Sequence, residues 1–286
     1  MTHHRILPPI PRIVVEEVVR RALSEDLARG DLTTDATVPM DVGGMPVLRA
    51  REWMVISGLD VFEATFHAVD PRIRVERLLE DGGKVEAGEV VAKVTGSANS
   101  ILKGERVALN LIQRMSGVAT ATRRLVDALP SGSDTRITDT RKTTPGLRAL
   151  QRYAVRCGGG YNHREDLGAG VLIKDNHIAA AGGVAIAIQR ARQHAPHTTM
   201  IECEVDTMEQ LAEALEAGAD IVMLDNFDDS TLKDAVAVVN GRAFVEVSGN
   251  VTLERIPKIA EAGVDAISSG GVTHSARAVD LGLDWS

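Results

Sequence analysis

A stretch from Ile137 to His177 gathers many of the residues that could do chemistry together. It holds seven Arg and Lys side chains against four Asp and Glu, whereas the whole chain has a formal net charge of -8. A local excess of positive charge in an acidic protein is typical of a site for an anionic ligand. Because arginine pairs bidentately with carboxylate and phosphate groups, several arginines favour a ligand with more than one such group.

Six polar clusters lie at the ends of predicted strands, where the carboxyl ends of parallel strands would bring them to one face. We interpret that face as the active site. The clusters are Asp139, Arg141 and Lys142; Lys174 and Asn176; Glu202 and Glu204; Asp225 and Asn226; Ser248, Gly249 and Asn250; and Ser268, Ser269, Gly270 and Gly271.

The types of these residues restrict the chemistry. Glu204 and Asp225 would face an anion only if a hard cation or sugar hydroxyls lay between, and Mg2+ takes one or two carboxylates together with phosphate oxygens. The Ser-Gly turns offer backbone N–H groups that could hold a phosphate. Glu202 and Glu204 share one strand face, and for either of them a purely structural role stays open.

The elements that position these clusters alternate between strand and helix from Arg136 onward. This alternation predicts a parallel sheet, and six units favour an open or incomplete β/α barrel over a closed barrel of eight strands. The predicted strands are Arg136–Thr140, Gly170–Lys174, Thr199–Val205, Ile221–Leu224, Ala243–Val247 and Asp265–Ser269. The predicted helices are Leu147–Arg156, Val184–His194, Met208–Ala217, Thr231–Val239 and Leu253–Ala262.

The first part of the chain has a different pattern. Its valine-rich segment Asp81–Gly96, punctuated by glycines, predicts a β-hairpin. Asp31–Thr34 predicts a polar turn, and local capping of the backbone by the Asp and Thr side chains stays equally open there. A long helical pattern over Ile101–Leu129 is interrupted at Ser116–Gly117, where we expect a break and a domain boundary. Further helices are predicted over Ile13–Ala28 and Leu59–Ala68, and strands over Gly44–Arg51, Trp53–Ile56 and Ile73–Leu79.

Composition excludes several classes of function. The chain of 286 residues is 44% hydrophobic and 25% charged, as is ordinary for a globular protein. Only 3% of residues are aromatic and the net charge is negative, which argues against a nucleic-acid surface. No apolar run has membrane length. The two cysteines give neither a disulfide framework nor metal-ligand spacing, which suits a cytoplasmic protein.

Several motifs together carry a specific resemblance. They are EDLARGDLTTD, GERVALNLIQRMSGVATAT, DTRKTTPGLR, RYAVRCGGGYNHR, LIKDNH, ECEVDT, MLDNF and VSGN. In this order, and over nearly the whole chain, they resemble the quinolinate phosphoribosyltransferase family. The resemblance implies that quinolinate and phosphoribosyl pyrophosphate give nicotinate mononucleotide, CO2 and pyrophosphate with Mg2+, in NAD biosynthesis.

The resemblance also implies an architecture: an N-terminal α/β sandwich over residues 1–116, an open β/α barrel over 117–270, and a return to the first domain over 271–286. It implies a homodimer in which Arg106 enters the partner's site. Quinolinate would be held by Thr140, Arg141, His163, Arg164 and Lys174. Lys142 would meet the donor phosphates, Glu204 and Asp225 the ribose hydroxyls and metal, and Ser248, Gly249, Asn250, Ser269, Gly270 and Gly271 the 5′-phosphate.

Three other functions stay open at this point. Lys174 at a strand end could form the Schiff base of an aldolase, although such an enzyme needs one buried lysine of lowered pKa rather than many arginines. The DGGKVEAGEV segment superficially resembles a lipoyl or biotinyl carrier, although its one lysine is not suitably flanked. A relative within the same family could use another acceptor than quinolinate.

Overall fold

The structure, a computed structural model, describes residues 7–285. Its helices are α1 Arg12–Asp26, α2 Leu32–Thr37, α3 Leu59–Val69, α4 Ala98–Asp127, α5 Arg148–Cys157, α6 Asp175–Ala181, α7 Val184–His194, α8 Met208–Glu216, α9 Asp229–Val239, α10 Ile256–Glu261 and α11 Gly271–His274. Its strands are β1 Gly43–Gly44, β2 Val47–Ala50, β3 Met54–Val55, β4 Arg74–Arg77, β5 Lys84–Val85, β6 Val90–Ser97, β7 Arg136–Thr138, β8 Val171–Ile173, β9 Ile201–Val205, β10 Ile221–Asp225, β11 Phe244–Ser248, β12 Ala266–Ser268 and β13 Leu281–Asp284. Within the described range, no helix combines the length and the apolar character needed to cross a bilayer.

The chain forms two compact units. The first unit holds the chain up to Arg123, Thr143–Gly159 and the stretch from Gly271, and the second holds Arg124–Lys142 and Gly160–Gly270. Thr143–Gly159 therefore belongs to the first unit, although it falls within the predicted barrel range of 117–270. Its helix α5 is amphipathic, and Tyr153 on the buried face donates a hydrogen bond of 2.9 Å to Asp81 of the first unit.

The first unit is built on an antiparallel sheet with strand order β1-β6-β2-β13, in which β4 also pairs with β6. Leu281 of β13 pairs with Ala50 of β2, so the end of the chain returns to the first unit as expected. Apolar residues of this sheet pack with those of α3 and α4, including the edge-to-face pair Phe62 and Phe66. The N-terminal α/β domain predicted from the resemblance is confirmed.

The second unit is a six-stranded parallel sheet with strand order β7-β12-β11-β10-β9-β8. The chain enters at β7, and β8 to β12 then follow one another across the sheet, so β7 and β8 are its two edges. This order is that of a β/α barrel left open between the first and second strands, and it confirms the predicted fold class. Gly218 and Gly263, with φ of 82° and 91°, end the helices before β10 and β12 in the left-handed conformation that glycine favours.

The helices α7 to α10 cover the outer face of this sheet with residues three and four apart. Leu211, Ala214 and Leu215 of α8 are typical, and they join Val222, Leu224, Val245 and Val247 of the strands in one buried core. Each fully buried Leu, Ile or Val contributes about 1.5–3 kcal/mol. Since this core takes up the outward strand face, the other face is left for polar residues.

The predicted break at Ser116–Gly117 is wrong, because α4 runs unbroken through it. Both residues are buried in the helix. A Cβ on Gly117 would collide with the backbone carbonyl of Arg277, so this glycine allows another backbone segment to approach closely. Sequence alone cannot separate such a packing glycine from a helix breaker.

The hairpin predicted in the first unit is also wrong. The Asp81–Gly96 segment contains strands β5 and β6, but β5 pairs with β3 and β6 with β1, β2 and β4, so they form no hairpin. At Asp31 the capping interpretation is the correct one, because Asp31 precedes α2 and its carboxylate accepts the N–H of Thr34 at 2.9 Å. A glycine-punctuated pattern cannot show that the partners of β5 and β6 lie elsewhere in the chain.

Candidate active site

Side chains on the inner face of the barrel sheet alternate with those in the outer core. On β11, Val245 and Val247 lie in the core, whereas Phe244, Glu246 and Ser248 line cavities on the inner face. Inward-facing residues of several strands, among them Leu172, Met223 and Ser268, therefore border the same space. The parallel register places Asp225 beside Ser248 and Met223 beside Glu246.

The inner face borders a cavity of about 310 Å³, here called the front cavity. Seven predicted site residues line it: Thr140, Arg141, Lys142, His163, Arg164, Lys174 and Ser248. Ser268, one of the polar residues predicted at the end of its strand, also lines it, and three residues that were not predicted complete the lining: Leu172, Met223 and Glu246. Residues far apart in sequence therefore meet in one cavity of strongly basic character.

Asp139 positions the loop that carries His163 and Arg164. This carboxylate is fully buried, accepts the backbone N–H of His163 at 2.7 Å, and accepts the amide of Asn162 at 2.7 Å. Tyr161 adds a backbone bridge to Thr138 of β7. Asp139 is thus a structural carboxylate that holds two cavity-lining side chains at the open edge of the barrel.

His163 lies in a buried cluster with two glutamates. Its Nε2 is 3.1 Å from Glu202 Oε2 and 3.6 Å from Glu246 Oε1, while its Nδ1 accepts the N–H of Arg164 at 2.7 Å. Burial opposes protonation of the ring, but the hydrogen bond to Glu202 and the charges of both glutamates raise the pKa of His163. The contact at Nδ1 leaves Nε2 as the nitrogen that carries the proton, directed at Glu202.

Glu246 differs from Glu202 in its hydrogen bonding. Burial, followed by the negative charge of Glu202, raises the pKa of Glu246 to about 7. Its Oε1 is buried and accepts no hydrogen bond. The ligand-type atoms of His163, Glu202 and Glu246 lie within 4.8 Å of one another, and the hydrogen on Nε2 of His163 is directed at Glu202.

The two arginines of the front cavity lie close enough to repel each other. Desolvation, followed by the charge of Arg141, lowers the pKa of Arg164, whose Nη1 donates to the carbonyl of Gly170 at 2.8 Å. Two guanidinium groups held together at a partly buried site raise the free energy of the empty site. An anion with two negative groups would relieve that repulsion.

Lys174, Glu204 and Asp225 form the outer edge of the site. Lys174 makes an ion pair with Glu204, whose side chain is only 12% exposed. Desolvation, followed by the charge of Asp206, raises the pKa of Asp225, while Lys174 and Lys142 oppose this shift. Hard carboxylate oxygens in an environment that disfavours further negative charge are suited to Mg2+, so Glu204 and Asp225 fit a site for this ion.

The turns after β10 and β11 contain residues in the left-handed conformation, and the two turns lie close together. Asn226, Gly249 and Asn250 have φ of 57°, 80° and 52°. The Asn226 side chain donates to Asp225 at 2.9 Å and accepts from Asn250 at 3.1 Å. A Cβ on Gly249 would meet Asn226 and Asp225, so only glycine fits between these two turns. Beside them, the N–H of Ser269 donates to the carbonyl of Thr138 at 3.0 Å, and Gly270 ends the second unit.

Two predicted site residues lie in the first unit. Arg106 is an exposed residue of α4 and borders a surface cavity with Arg29 and Lys103. Gly271 is the first residue of α11. Glu246 was not predicted, and the single charged residue in FVEVS, two positions before Ser248, was only a weak signal of an inward-facing side chain.

A second cavity of about 380 Å³, here called the rear cavity, lies at the amino-terminal ends of the barrel strands. Arg136, Tyr161, Met200 and Phe244 are among its lining residues, and the Arg136 guanidinium lies 5.1 Å from the centre of the Tyr161 ring. His163, Arg164 and Glu246 line both cavities, whereas Glu202 lines only the rear one. The buried His163 cluster therefore forms a partition between them.

An open β/α barrel with a cation-lined cavity beside two carboxylates is the arrangement of an enzyme that acts on anionic substrates. Sequence models of the N-terminal and C-terminal domains of quinolinate phosphoribosyl transferase match residues 31–116 and 118–284. The chain belongs to the quinolinate phosphoribosyl transferase family.

Similar proteins match this chain over nearly its whole length. A probable nicotinate-nucleotide pyrophosphorylase (carboxylating) from Bacillus subtilis is 41% identical over 94% of this chain and 93% of its own length. Quinolinate phosphoribosyltransferase (decarboxylating) 2, mitochondrial, from Nicotiana glauca is 42% identical over 96% of this chain and 83% of its own. The solved structure of the nicotinate-nucleotide pyrophosphorylase from Francisella tularensis superposes with a TM-score of 0.93 and 40% identity, and covers 98% of this chain and 99% of that one.

Proposed function

We propose that this protein is a decarboxylating quinolinate phosphoribosyltransferase, which converts quinolinate and phosphoribosyl pyrophosphate to nicotinate mononucleotide, CO2 and pyrophosphate for NAD biosynthesis. The observation that carries the proposal is the front cavity, where Arg141, Arg164, Lys142, Lys174 and His163 meet in an otherwise acidic chain. The relatives named for this reaction support it across both domains.

The acceptor end of the cavity is the part lined by the two arginines. Quinolinate carries adjacent carboxylates, and Arg141, Arg164 and Lys174, with Thr140 and His163 beside them, supply the charge and the hydrogen-bond donors to hold both. Arg106 of a partner subunit would complete this end if the protein is a homodimer with shared sites. Its exposure on α4 is compatible with that role.

The donor end is the edge formed by Lys142, Glu204 and Asp225. Lys142 would neutralise the departing pyrophosphate, and the two carboxylates would stabilise positive charge as it develops on the ribose carbon. Bound Mg2+, held by Glu204 and Asp225, would supply charge neutralisation for the phosphates. The backbone groups of Ser248, Gly249, Asn250, Ser269, Gly270 and Gly271 would hold the 5′-phosphate.

The reaction then follows from the charges. Pyrophosphate departs from the ribose as the pyridine nitrogen attacks, and the ring becomes cationic. The carbon–carbon bond to the 2-carboxylate breaks, its electron pair stays on C2 beside the positive nitrogen, and CO2 leaves. The substrate thus serves as its own electron sink, and the protein contributes by binding, orientation and electrostatics.

The competing functions are less well supported. A Schiff-base aldolase needs a neutral amine, whereas Lys174 is held as an ion pair by Glu204. A carrier module presents its lysine at an exposed turn, whereas Lys84 lies within a strand paired to β3. The buried free thiols of Cys157 and Cys203 support a cytoplasmic location, although the Nicotiana relative is named as mitochondrial.

The proposal is tested by incubating the purified protein with quinolinate, phosphoribosyl pyrophosphate and Mg2+ and measuring nicotinate mononucleotide. We expect formation of this nucleotide that depends on all three components. A product formed only with another pyridine acceptor would show a relative of the family with a different substrate.

A further inference from the structure

Loss of CO2 leaves an electron pair on C2 of the pyridine ring, and nicotinate mononucleotide has a hydrogen there. A proton must therefore reach C2 in every turnover, and the donor must lie at the acceptor end of the front cavity. Guanidinium groups such as those of Arg141 and Arg164 do not give up protons in proteins. Lys174 is held by Glu204, and Lys142 lies at the donor end of the site.

We propose, on the basis of the function proposed above, that the Glu246 carboxyl group donates this proton to C2 and is reprotonated through the rear cavity. The C2–carboxylate bond breaks, the O–H bond of Glu246 breaks, and a C2–H bond forms. Glu246 is left as a carboxylate, and water at the rear restores its proton, so the net reaction consumes one proton from solvent.

The position of Glu246 suits this role. It lies on the inner face of β11, between Phe244 of the rear cavity and Ser248 of the front cavity. Its side chain is 6% exposed, and its Oε1, which accepts no hydrogen bond, has the environment of a carboxyl group that carries a proton rather than a charge. An unsatisfied carboxylate would be costly at this depth.

The electrostatic surroundings of Glu246 keep the proton available near neutral pH. Burial and the charge of Glu202 raise its pKa to about 7, and Asp139 adds to this effect. His163 and the hydroxyl of Ser268 oppose it. A general acid with a pKa near the working pH combines a sufficient protonated fraction with ready transfer.

The rear cavity gives the proton a route that bound substrates do not block. His163 and Glu246 face both cavities, and Glu202 faces the rear one and accepts the Nε2 proton of His163. When quinolinate and the ribosyl donor fill the front cavity, the cluster of His163, Glu202 and Glu246 still borders the rear cavity. A route for protons would account for the presence of Glu202 and Glu246 next to a cavity that binds an anion.

The test separates ribosyl transfer from protonation in single turnovers. In Glu246→Gln, an amide of the same shape replaces the acid. We expect pyrophosphate release within about twofold of the wild-type rate, while nicotinate mononucleotide formation falls about 100-fold, in the range that general acids contribute. Quinolinate mononucleotide should accumulate. Glu246→Asp should keep part of the activity, and the same Glu-to-Gln change at exposed Glu261 should alter neither rate.

The pH profile gives a second readout. Wild-type turnover should fall as the pH rises through about 7, where Glu246 loses its proton, and this limb should be missing in Glu246→Gln. Equal losses of pyrophosphate release and nucleotide formation, an unchanged Glu246→Gln enzyme, or a stoichiometric metal ion lost with Glu246 would each overturn the inference. Absence of nicotinate mononucleotide with the wild type would instead contradict the proposed function.

Discussion

Two carboxylates whose pKa is raised by burial, half-buried Asp81 in the first unit and buried Glu246 in the second, serve different ends. Asp81 of the first unit accepts the N–H of Gly58 at 3.0 Å, the N–H of Leu59 at 3.1 Å and the hydroxyl of Tyr153 at 2.9 Å. Glu246 of the second unit has one oxygen without any donor. Burial raises the pKa of both groups.

The difference lies in what satisfies each group. Asp81 has a complete set of donors from its own unit and fixes the start of α3, so its role is complete in the folded chain. Glu246 borders the front cavity, where the substrate would add the contacts that the protein alone does not supply. A buried carboxylate with all its donors thus indicates structure, and one with a missing donor beside a cavity indicates chemistry.

The largest effect is expected from the acceptor itself. Nicotinate lacks the 2-carboxylate, so binding it would leave buried positive charge around Arg141 and Arg164 unmatched, at a cost of several kcal/mol, order of magnitude. We expect kcat/KM for nicotinate to be roughly a thousandfold lower than for quinolinate, as measured in parallel steady-state assays. Comparable values of kcat/KM for the two pyridines would mean that the charges of the arginines are satisfied within the protein, as the carboxylate of Asp81 is.

Asp225→Asn should reduce kcat by about 100-fold or more while quinolinate affinity changes little. Its carboxylate would act on charge that develops only in the transition state. Steady-state kinetics and direct quinolinate binding provide the two measurements, with Asp234→Asn on the exposed side of α9 as the matched control. Equal losses of rate and affinity would place Asp225 in the acceptor pocket.

Asp81→Ala should lower the free energy of unfolding by about 2–4 kcal/mol, because two N–H groups and a hydroxyl lose their acceptor. Denaturant titration measures this change. The remaining folded protein should keep its kcat, since the role of Asp81 is confined to the fold. A stable variant with reduced kcat would erase the distinction between the two carboxylates.

Glu246→Gln should raise the free energy of unfolding at alkaline pH, whereas Asp81→Ala lowers it. The folded-state pKa of Glu246 is raised from 4.5 to about 7, so its contribution to stability is complete below pH 4.5 and is lost as the pH rises through 7. At pH 8 the amide variant should therefore be more stable than the wild type, by about 2 kcal/mol. Equal unfolding free energies at pH 5 and pH 8 for both proteins would contradict the assignment.

The last prediction concerns the shared site, and its readout is a partial recovery of activity. Arg106→Ala and Lys142→Ala should each be nearly inactive, but mixing them with subunit exchange should restore about a quarter of wild-type activity, because half of the dimers are hybrids with one intact site. Mass tagging confirms the exchange. No recovery would mean that Arg106 acts within its own subunit or only in the fold.

Sequence patterns predicted the barrel more fully than the first unit, for a physical reason. Strands such as Ile221–Asp225 and Phe244–Ser248 form parallel units whose pairing follows chain order, so local patterns predict the sheet. In the first unit, β6 pairs with three strands from different parts of the chain, and Gly117 serves a contact with Arg277. Such long-range partners leave no local signal.

The candidate site was predictable where charge or strand ends marked it, as at Arg141, Lys174 and Asp225. Asp139 belonged to the same pattern, yet the structure makes it a structural carboxylate because both of its oxygens accept hydrogen bonds from the following loop. Glu246 gave little signal, since one glutamate in a valine-rich strand reveals neither its depth nor its neighbours. Its role depends on His163 and Glu202, which only the fold brings near.

The most direct test uses quinolinate labelled with 13C in the 2-carboxylate, together with phosphoribosyl pyrophosphate and Mg2+, and measures CO2, pyrophosphate and nicotinate mononucleotide in one reaction. The account predicts labelled CO2, pyrophosphate and unlabelled nucleotide in equal amounts. Pyrophosphate release without labelled CO2, or a nucleotide that retains the label, would contradict a decarboxylating quinolinate phosphoribosyltransferase.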